Sequence, residues 1–292
     1  MSKNMQKKTM TEALFSTKAL RVAEAEKPFW YTSGRIGPYY INTHFLYGSE
    51  GDALSLLSEI DRMVVDKGNV SLKIAALTEA QYQKDETYRF VIDEMVKKVR
   101  EATENNPIDL ISGGERRDWF FSFMVAKLLK KPHLTLFKDN SAVLFDKGRT
   151  RALFSIKDKV VLHVADLITS ASSYQRAWLP VVEGLGAHME YSLAVVDRLQ
   201  GGGELLRRRG VLSLTMVAID EGLMRDAKDA ALISDAQYAQ LALYMKDPDG
   251  TMAAFLKKTP EFLQNALQSD RKTRERATLL VENDLYKLKE IV

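Results

Sequence analysis

The chain has 292 residues, of which 46% are apolar and 28% charged, an ordinary composition for a globular protein with a substantial core. Its formal net charge of +3 gives no electrostatic case for nucleic acid or a membrane surface as the main partner. Cysteine is absent, which excludes disulfides, thiolate metal sites and a cysteine nucleophile. We expect a cytoplasmic protein, because no stretch is typical of a signal peptide or long enough for a membrane span.

The N-terminal part of the sequence predicts helices around an irregular, aromatic segment. Apolar spacing predicts a helix over 10–25 and further helices over 53–65 and 88–99. The segment "PFWYTSGRIGPYYINTHFLYG" contains prolines and glycines that predict short strands or loops around a turn at 33–37. The polar region that begins at Asn69 is predicted to open an inserted, helical segment over about 69–105.

From residue 108 onwards, short apolar runs alternate with helical patterns. The predicted strands are "IDLISGG", "HLTLF", "KVVLHVA", "MEYSLAVVD" and "VLSLTMVAI", with helices over 119–131 and 174–186 and a partly hairpin connection over 139–158. This alternation predicts an α/β fold with a mostly parallel sheet flanked by helices, whose ligands bind at the carboxyl ends of the strands. The glycines at 201–203 predict a mobile loop, and residues 221–292 predict a helical C-terminal extension.

The stretch "KVVLHVADLITSASS" carries the clearest chemical signal. Its predicted strand ends in Asp166 and continues into a loop of small, mostly hydroxyl-bearing residues: Thr169, Ser170, Ala171, Ser172 and Ser173. Such a loop before a helix can bind a phosphate through backbone N–H and hydroxyl groups. The carboxylate can accept hydrogen bonds from sugar hydroxyls or hold a hydrated Mg²⁺. The pattern alone leaves open a simpler interpretation, in which Asp166 and Thr169 only cap the next helix.

This stretch resembles the signature with which type I phosphoribosyltransferases bind 5-phosphoribosyl 1-diphosphate (PRPP). In that signature, a strand leads into two acidic residues and a phosphate loop. Three further stretches are similar to orotate phosphoribosyltransferases in the same order, namely "SGRIGPYYIN", "DLISGGERR" and "LAVVDRLQGG". The resemblance covers about residues 15–215. It implies the type I phosphoribosyltransferase fold for a domain of residues 1–220, with an N-terminal base-site hood at about 10–50.

The resemblance also implies a reaction and a role for each matching residue. The enzyme would transfer ribose 5-phosphate from PRPP to a pyrimidine-type base such as orotate, with Mg²⁺ as cofactor and as a homodimer. Asp166 would hold the ribose hydroxyls and 169–173 the 5-phosphate, while Arg117 and Lys138 would meet the pyrophosphate. Arg198 would pair with the carboxylate of the base, and Arg35 and Tyr40 would complete the base site. No direct metal ligand is assigned, although Asp166 could hold the ion through water.

The sequence departs from the family pattern at three points. Ala165 stands where the family has the first of two acidic residues, and the phosphate loop has Ala171 in place of glycine. The segment "FKDNSAVLFDKGRTR" lacks the family's Lys-Asp-His-Gly core, and its basic residues Lys147, Arg149 and Arg151 are candidate substitutes. A lost hydroxyl acceptor costs about 1–3 kcal/mol, which slows catalysis without abolishing the site. Two alternatives therefore stay open: transfer to another acceptor base, or a non-catalytic PRPP- or nucleotide-binding regulator.

Overall fold

The computed structural model describes residues 8–24, 26–153 and 155–287. Contacts group these residues into two compact units. The larger unit contains the described residues up to Ala19 together with Asn42–Ile219, and the smaller contains Leu20–Ile41 and the residues from Asp220 onwards.

Strands and helices are numbered in chain order over the described residues. The strands are β1 (Leu20–Val22), β2 (Phe29–Trp30), β3 (Ile36–Gly37), β4 (Tyr39–Ile41), β5 (Leu110–Gly114), β6 (His133–Leu136), β7 (Ala142–Asp146), β8 (Arg149–Ala152), β9 (Val160–Ile168), β10 (His188–Asp197) and β11 (Leu212–Ala218). The helices are α1 (Met10–Ser16), α2 (Glu50–Met63), α3 (Val70–Lys84), α4 (Glu86–Ala102), α5 (Trp119–Leu129), α6 (Leu179–Gly184), α7 (Gly202–Arg208), α8 (Glu221–Asp229), α9 (Asp235–Lys246), α10 (Pro248–Lys258), α11 (Pro260–Leu267) and α12 (Arg271–Glu282). A 3-10 helix covers Thr43–Tyr47, and a π-helical turn at Tyr174–Trp178 leads into α6.

The larger unit is built on a seven-stranded sheet with the order β11-β10-β9-β5-β6-β7-β8. The five strands from β11 to β6 are parallel, and β7 and β8 continue the sheet as an antiparallel hairpin. The α/β fold with a mostly parallel sheet, predicted from the alternation of strands and helices, is confirmed. The hairpin forms where a partly hairpin connection was predicted.

The strand order reverses between β5 and β9. From β5 the chain passes through α5 to β6 on one side, and later returns to place β9, β10 and β11 on the other side. In open α/β sheets, the crevice at the carboxyl ends of two such strands is the usual ligand site. We therefore expect a ligand site at the carboxyl ends of β5 and β9, which are Gly114 and Ile168.

The core of the larger unit lies between the sheet and its helices. Helix α5 is apolar almost all round, as expected for a buried helix, and it contacts β5, β9, α3 and α4. Its largest side chains, Trp119, Phe120 and Phe121, have no exposed surface. Over the described residues, no helix is long and apolar enough to cross a membrane.

The smaller unit joins the aromatic segment 28–41 to the C-terminal helices. Strand β1 pairs with β4, and β2 pairs with β3. Ile36 packs with apolar side chains of α10 and α12, and its backbone N–H donates a hydrogen bond to the hydroxyl of Tyr286 at 2.9 Å. Trp30 stacks on Phe262 with a ring-centroid distance of 5.5 Å. The helical C-terminal region is present as predicted. Residues 20–41 were predicted to belong to the α/β domain, but they lie in the same compact unit as the C-terminal helices.

Two predictions about individual elements are wrong. The helix predicted over 10–25 ends at Ser16, because Lys18 adopts a left-handed conformation (φ 60°) and the chain then enters β1. The loop predicted at 201–203 is instead the start of α7, with Gly202 as its first residue.

The span 69–105, predicted as a helical insertion, contains α3 and α4, which both contact α5.

Candidate active site

A cavity of about 260 Å³ opens at the carboxyl ends of β5 and β9, in the larger unit. Three loops of the chain supply its walls, and these are the segments after β5, after β6 and after β9. Seven of the predicted site residues line it: Arg117, Lys138, Asp166, Thr169, Ala171, Ser172 and Ser173. The sheet topology thus brings together side chains that are widely separated in sequence.

Asp166 lies near the carboxyl end of strand β9, two residues before its last residue, Ile168. Its side chain is half-buried, and the carboxyl group lies against that of Asp118. Burial and the neighbouring Asp118 raise the pKa of Asp166 well above the usual carboxyl range, and Arg117 opposes this shift. Such a perturbed group in a cavity is a candidate for binding or catalysis.

The loop after Asp166 contains a left-handed residue. Ala171 has a φ of 55° and is 4% exposed, so an alanine occupies a conformation that glycine adopts at lower cost. The loop packs directly on the start of α7, where a Cβ atom on Gly202 would lie 2.4 Å from the carbonyl oxygen of Thr169. Gly202 therefore permits a close approach that no larger residue would allow.

Helical structure begins within the loop, at Ser172, and continues into the π-helical turn at Tyr174–Trp178, an arrangement that can bind a phosphate. Arg176 lies in this turn and donates hydrogen bonds to the carbonyl oxygen of Ser172 at 3.3 Å and to its Oγ at 3.4 Å. Arg176 adds a cation to the loop, although it does not itself line the cavity. Sequence reasoning missed it, although its spacing of four residues from Ser172 was a usable signal.

The loop after β5 carries two adjacent arginines, and the loop after β6 carries a lysine. Arg117 is exposed at the cavity, whereas Arg116 forms an ion pair with Asp61 of α2. The Nζ of Lys138 lies 3.5 Å from Oε1 of Glu115, and its backbone N–H donates to Oε2 at 3.2 Å. The peptide bond between Glu115 and Arg116 is cis. Two of the three cations are thus already paired with carboxylates.

Asp118 is a cavity residue that sequence reasoning did not identify. One of its carboxylate oxygens accepts the backbone N–H of Gly114 at 3.0 Å, and the other accepts that of Asp166 at 3.0 Å. The buried ring of His163 places its Nε2 atom 3.4 Å from Asp118. Asp118 reads in the sequence as an ordinary residue before a helix, so no local signal could have revealed these contacts.

Four predicted site residues do not line the cavity. Ser170 is exposed in the loop 169–173, and Arg198 follows β10, with its backbone N–H donating to the carbonyl oxygen of Ile168 at 3.0 Å. Arg35 and Tyr40 belong to the smaller unit. There, Arg35 forms an ion pair with Asp249, and Tyr40 lies edge-on to Phe29. The roles of these four residues, and of the seven that line the cavity, stay predictions.

Metal ligation by the protein alone is not indicated. Among residues 8–24, 26–153 and 155–287, no three histidine or acidic side chains come together as metal ligands. The cavity nevertheless contains the carboxyl groups of Asp118 and Asp166. Mg²⁺ commonly uses one or two carboxylates together with water and substrate phosphates, so the donor set fits an ion that arrives with a phosphorylated ligand.

The chain resembles known proteins in its structure, whereas comparisons of its sequence found no match. No family model matches the chain, and no curated protein sequence does. The chain is similar to the structure of orotate phosphoribosyltransferase from Francisella tularensis, with a TM-score of 0.52 and 13% identity over 80% of this chain and 96% of that one. It is also similar to UMP synthase from Leishmania donovani, with a TM-score of 0.51 and 14% identity over 81% of this chain.

The match to UMP synthase spans 41% of that longer chain. At these levels of identity, the likeness concerns the fold. It agrees with the parallel sheet, the flanking helices and the cavity at the point where the strand order reverses. The fold predicted from the sequence motifs is therefore confirmed, and the chain has the type I phosphoribosyltransferase fold.

Proposed function

We propose that the chain binds PRPP in the cavity and transfers its ribose 5-phosphate to a pyrimidine-type base, with orotate as the leading candidate. The observation that carries this proposal is the meeting of Asp166, the loop 169–173 and the cations Arg117 and Lys138 around one cavity. Each group suits one part of PRPP. The carboxyl group can accept hydrogen bonds from the ribose hydroxyls, and the loop can donate hydrogen bonds to the 5-phosphate. The two cations can form ion pairs with the diphosphate.

In the proposed reaction, the bond between C1 of the ribose and the diphosphate oxygen breaks, and pyrophosphate leaves with the electron pair. A ring nitrogen of the base forms the new bond to C1 and releases its proton. Negative charge grows on the leaving group while positive charge grows on the ribose. Arg117 and Lys138 would stabilise the first, and Asp166 in its ionised form the second, so catalysis depends on placement, on electrostatics and on the protonation state of Asp166.

Mg²⁺ is the proposed cofactor. It would be held by the diphosphate oxygens of the substrate and, through water, by Asp166, and it would neutralise charge on the leaving group. Arg198 is the proposed partner of a carboxylate on the base, because its planar guanidinium group can bind both oxygens. Arg35 and Tyr40 are the proposed further base contacts, and the homodimer implied by the resemblance stays a prediction.

A second candidate is a non-catalytic PRPP- or nucleotide-binding regulator. It is favoured by Ala165, which supplies no carboxylate, and by the ion pairs that engage Arg116 with Asp61 and Lys138 with Glu115. A pyrophosphate group would meet fewer uncommitted cations than the three basic side chains suggest. Such a site could still hold a ribose phosphate without accelerating bond cleavage.

The test measures loss of the ultraviolet absorbance of orotate with protein, PRPP and Mg²⁺. We expect turnover in the wild type, loss of turnover in Asp166→Asn and weaker orotate binding in Arg198→Ala. Turnover with another base and none with orotate would select the alternative acceptor. PRPP binding by calorimetry without turnover would select the regulator, and absence of PRPP binding would contradict both candidates.

A further inference from the structure

Asp118 connects the two strands whose ends form the cavity. It follows the loop after β5, and its two carboxylate oxygens accept the backbone N–H groups of Gly114, at the end of β5, and of Asp166, in β9, each at 3.0 Å. Its side chain is 11% exposed and lines the cavity. These two bonds fix the carboxylate beside Asp166 before any ligand arrives.

The carboxyl group of Asp118 still has capacity for a ligand. A carboxylate offers about four lone-pair sites. On Asp118 two of them accept backbone N–H groups and a third meets the side chain of Asp166, while Nε2 of His163, 3.4 Å from Oδ2, makes no hydrogen bond, so one site is left for a ligand. Asp166 contributes a second carboxyl group that contacts it, while the neighbouring residue in the strand, Ala165, is 3% exposed and has no polar side chain. The cavity therefore contains two carboxyl groups from different segments of the chain.

We propose that Asp118 is the second carboxylate of the ribose site and replaces the acidic side chain that the chain lacks at Ala165. This inference rests on the proposed function and specifies its substrate class. A pair of adjacent carboxyl groups suits two neighbouring hydroxyl groups, so the ligand is a ribose 5-phosphate with an intact 2-hydroxyl group. A 2-deoxyribose phosphate would leave one buried acceptor without its partner.

The experiment compares the affinities of ribose 5-phosphate and 2-deoxyribose 5-phosphate, measured by calorimetry. We expect the wild type to favour ribose 5-phosphate by about tenfold or more, the effect of one hydrogen bond to a charged group. Asp118→Asn should reduce this ratio to about threefold or less. The double variant Asp118→Asn, Ala165→Asp should regain much of the ratio, because it returns a carboxylate to the cavity wall.

Asp109→Asn is the matched control. Asp109 accepts the backbone N–H of Val160 at 2.9 Å at the opposite ends of the same two strands, and it does not line the cavity. Its replacement should keep the wild-type ratio. A purely structural role of Asp118 would weaken the binding of both sugar phosphates equally and leave their ratio unchanged.

A folded Asp118→Asn variant with the wild-type ratio would overturn the inference while leaving phosphate binding intact. A wild type that binds both sugar phosphates equally would also overturn it. If the wild type binds neither sugar phosphate, the inference fails, and PRPP binding by calorimetry decides separately whether the proposed function fails with it. Should Asp118→Asn not fold, Asp118→Ser serves as the second variant, since its hydroxyl can accept one backbone N–H without carrying charge, and the same ratios decide the outcome.

Discussion

The backbone N–H of Gly202 donates a hydrogen bond to the carbonyl oxygen of Thr169 at 2.9 Å, and a Cβ atom at position 202 would lie 2.4 Å from that same oxygen. The same Cβ would lie 2.5 Å from Cγ2 of Ile168 and 3.0 Å from the backbone nitrogen of Ala171. The shape of the proposed phosphate loop therefore depends on the absence of a side chain at Gly202, the first residue of α7.

Gly202→Ala should distort the loop. We expect a loss of roughly 1–3 kcal/mol in the free energy of unfolding, the usual cost of overpacking, and a loss of at least about tenfold in affinity for ribose 5-phosphate. Thermal unfolding and calorimetry measure the two effects. Gly184→Ala is the control, since a Cβ there has nothing within 4 Å and alanine favours a helix. Equal behaviour of the two variants would show that the loop tolerates displacement.

Ala171 provides a second test of the same loop. Its φ of 55° favours glycine, so Ala171→Gly should relieve backbone strain by about 1 kcal/mol. Its methyl group is buried, so the same change should lose a similar free energy of packing. We expect stability within about 0.5 kcal/mol of wild type and unchanged ribose 5-phosphate affinity. Ala171→Val should lose about 2 kcal/mol or more, because a β-branched residue tolerates this conformation poorly. Unaltered stability of the valine variant would contradict the left-handed conformation.

Much of the larger unit was predictable from sequence for a simple physical reason. The strands β5, β6, β9 and β10 are short apolar runs bounded by polar residues or glycine, and burial on both faces of a parallel sheet demands such runs. Asp166 and the loop 169–173 were predicted as site residues because they follow one of these runs directly. Polar residues that directly follow a buried strand can be recognised in the sequence, because the apolar run marks where the strand ends.

Other features depend on contacts between distant residues, which no local pattern encodes. The meeting of Asp118 and Asp166 follows from the register of β5 on β9, in which Ser112 lies opposite His163. The packing of Ile36 against C-terminal helices similarly depends on Tyr286, which lies 250 residues later. The early end of α1 rests on the left-handed Lys18, a residue type with no particular preference for that conformation.

Glu115→Gln should strengthen the binding of inorganic pyrophosphate. Glu115 holds Lys138 in an ion pair at 3.5 Å, and its negative charge also faces any anion in the cavity. The amide would keep an acceptor for the backbone N–H of Lys138 while it removes the charge. We expect affinity to rise about two- to tenfold at low ionic strength, and the gain to shrink with added salt.

The control for this change is Glu79→Gln, which breaks another ion pair of the same type, with Lys127, outside the cavity. It should leave pyrophosphate affinity unchanged. Weaker binding in Glu115→Gln would mean that Lys138 needs its glutamate partner to stay in position, and that the ion pair prepares the site rather than competing with the ligand.

Asp166→Asn should stabilise the protein while it removes function. Burial and Asp118 raise the pKa of Asp166, so the folded state binds a proton more tightly than the unfolded state does. Stability from this group is therefore complete below the ordinary carboxyl pKa of about 4 and falls as the pH rises through the higher folded value. An asparagine can donate to Asp118 without a second negative charge and avoids this loss.

The expected gain is roughly 1–3 kcal/mol at pH 8, shrinking towards zero near pH 4, and thermal unfolding across this range measures it. Asp139→Asn should behave in the opposite way. Hydrogen bonds from Lys67 and Ser141 lower the pKa of Asp139 to about 2, so its contribution is present at neutral pH and is lost as the pH falls below about 4. A gain for Asp166→Asn that did not vary with pH would come from packing, and the two carboxyl groups would then not repel each other in the folded protein. A gain that grows with pH would show that the fold retains an unfavourable pair of acids at the mouth of its cavity, as expected of residues kept for binding rather than for stability.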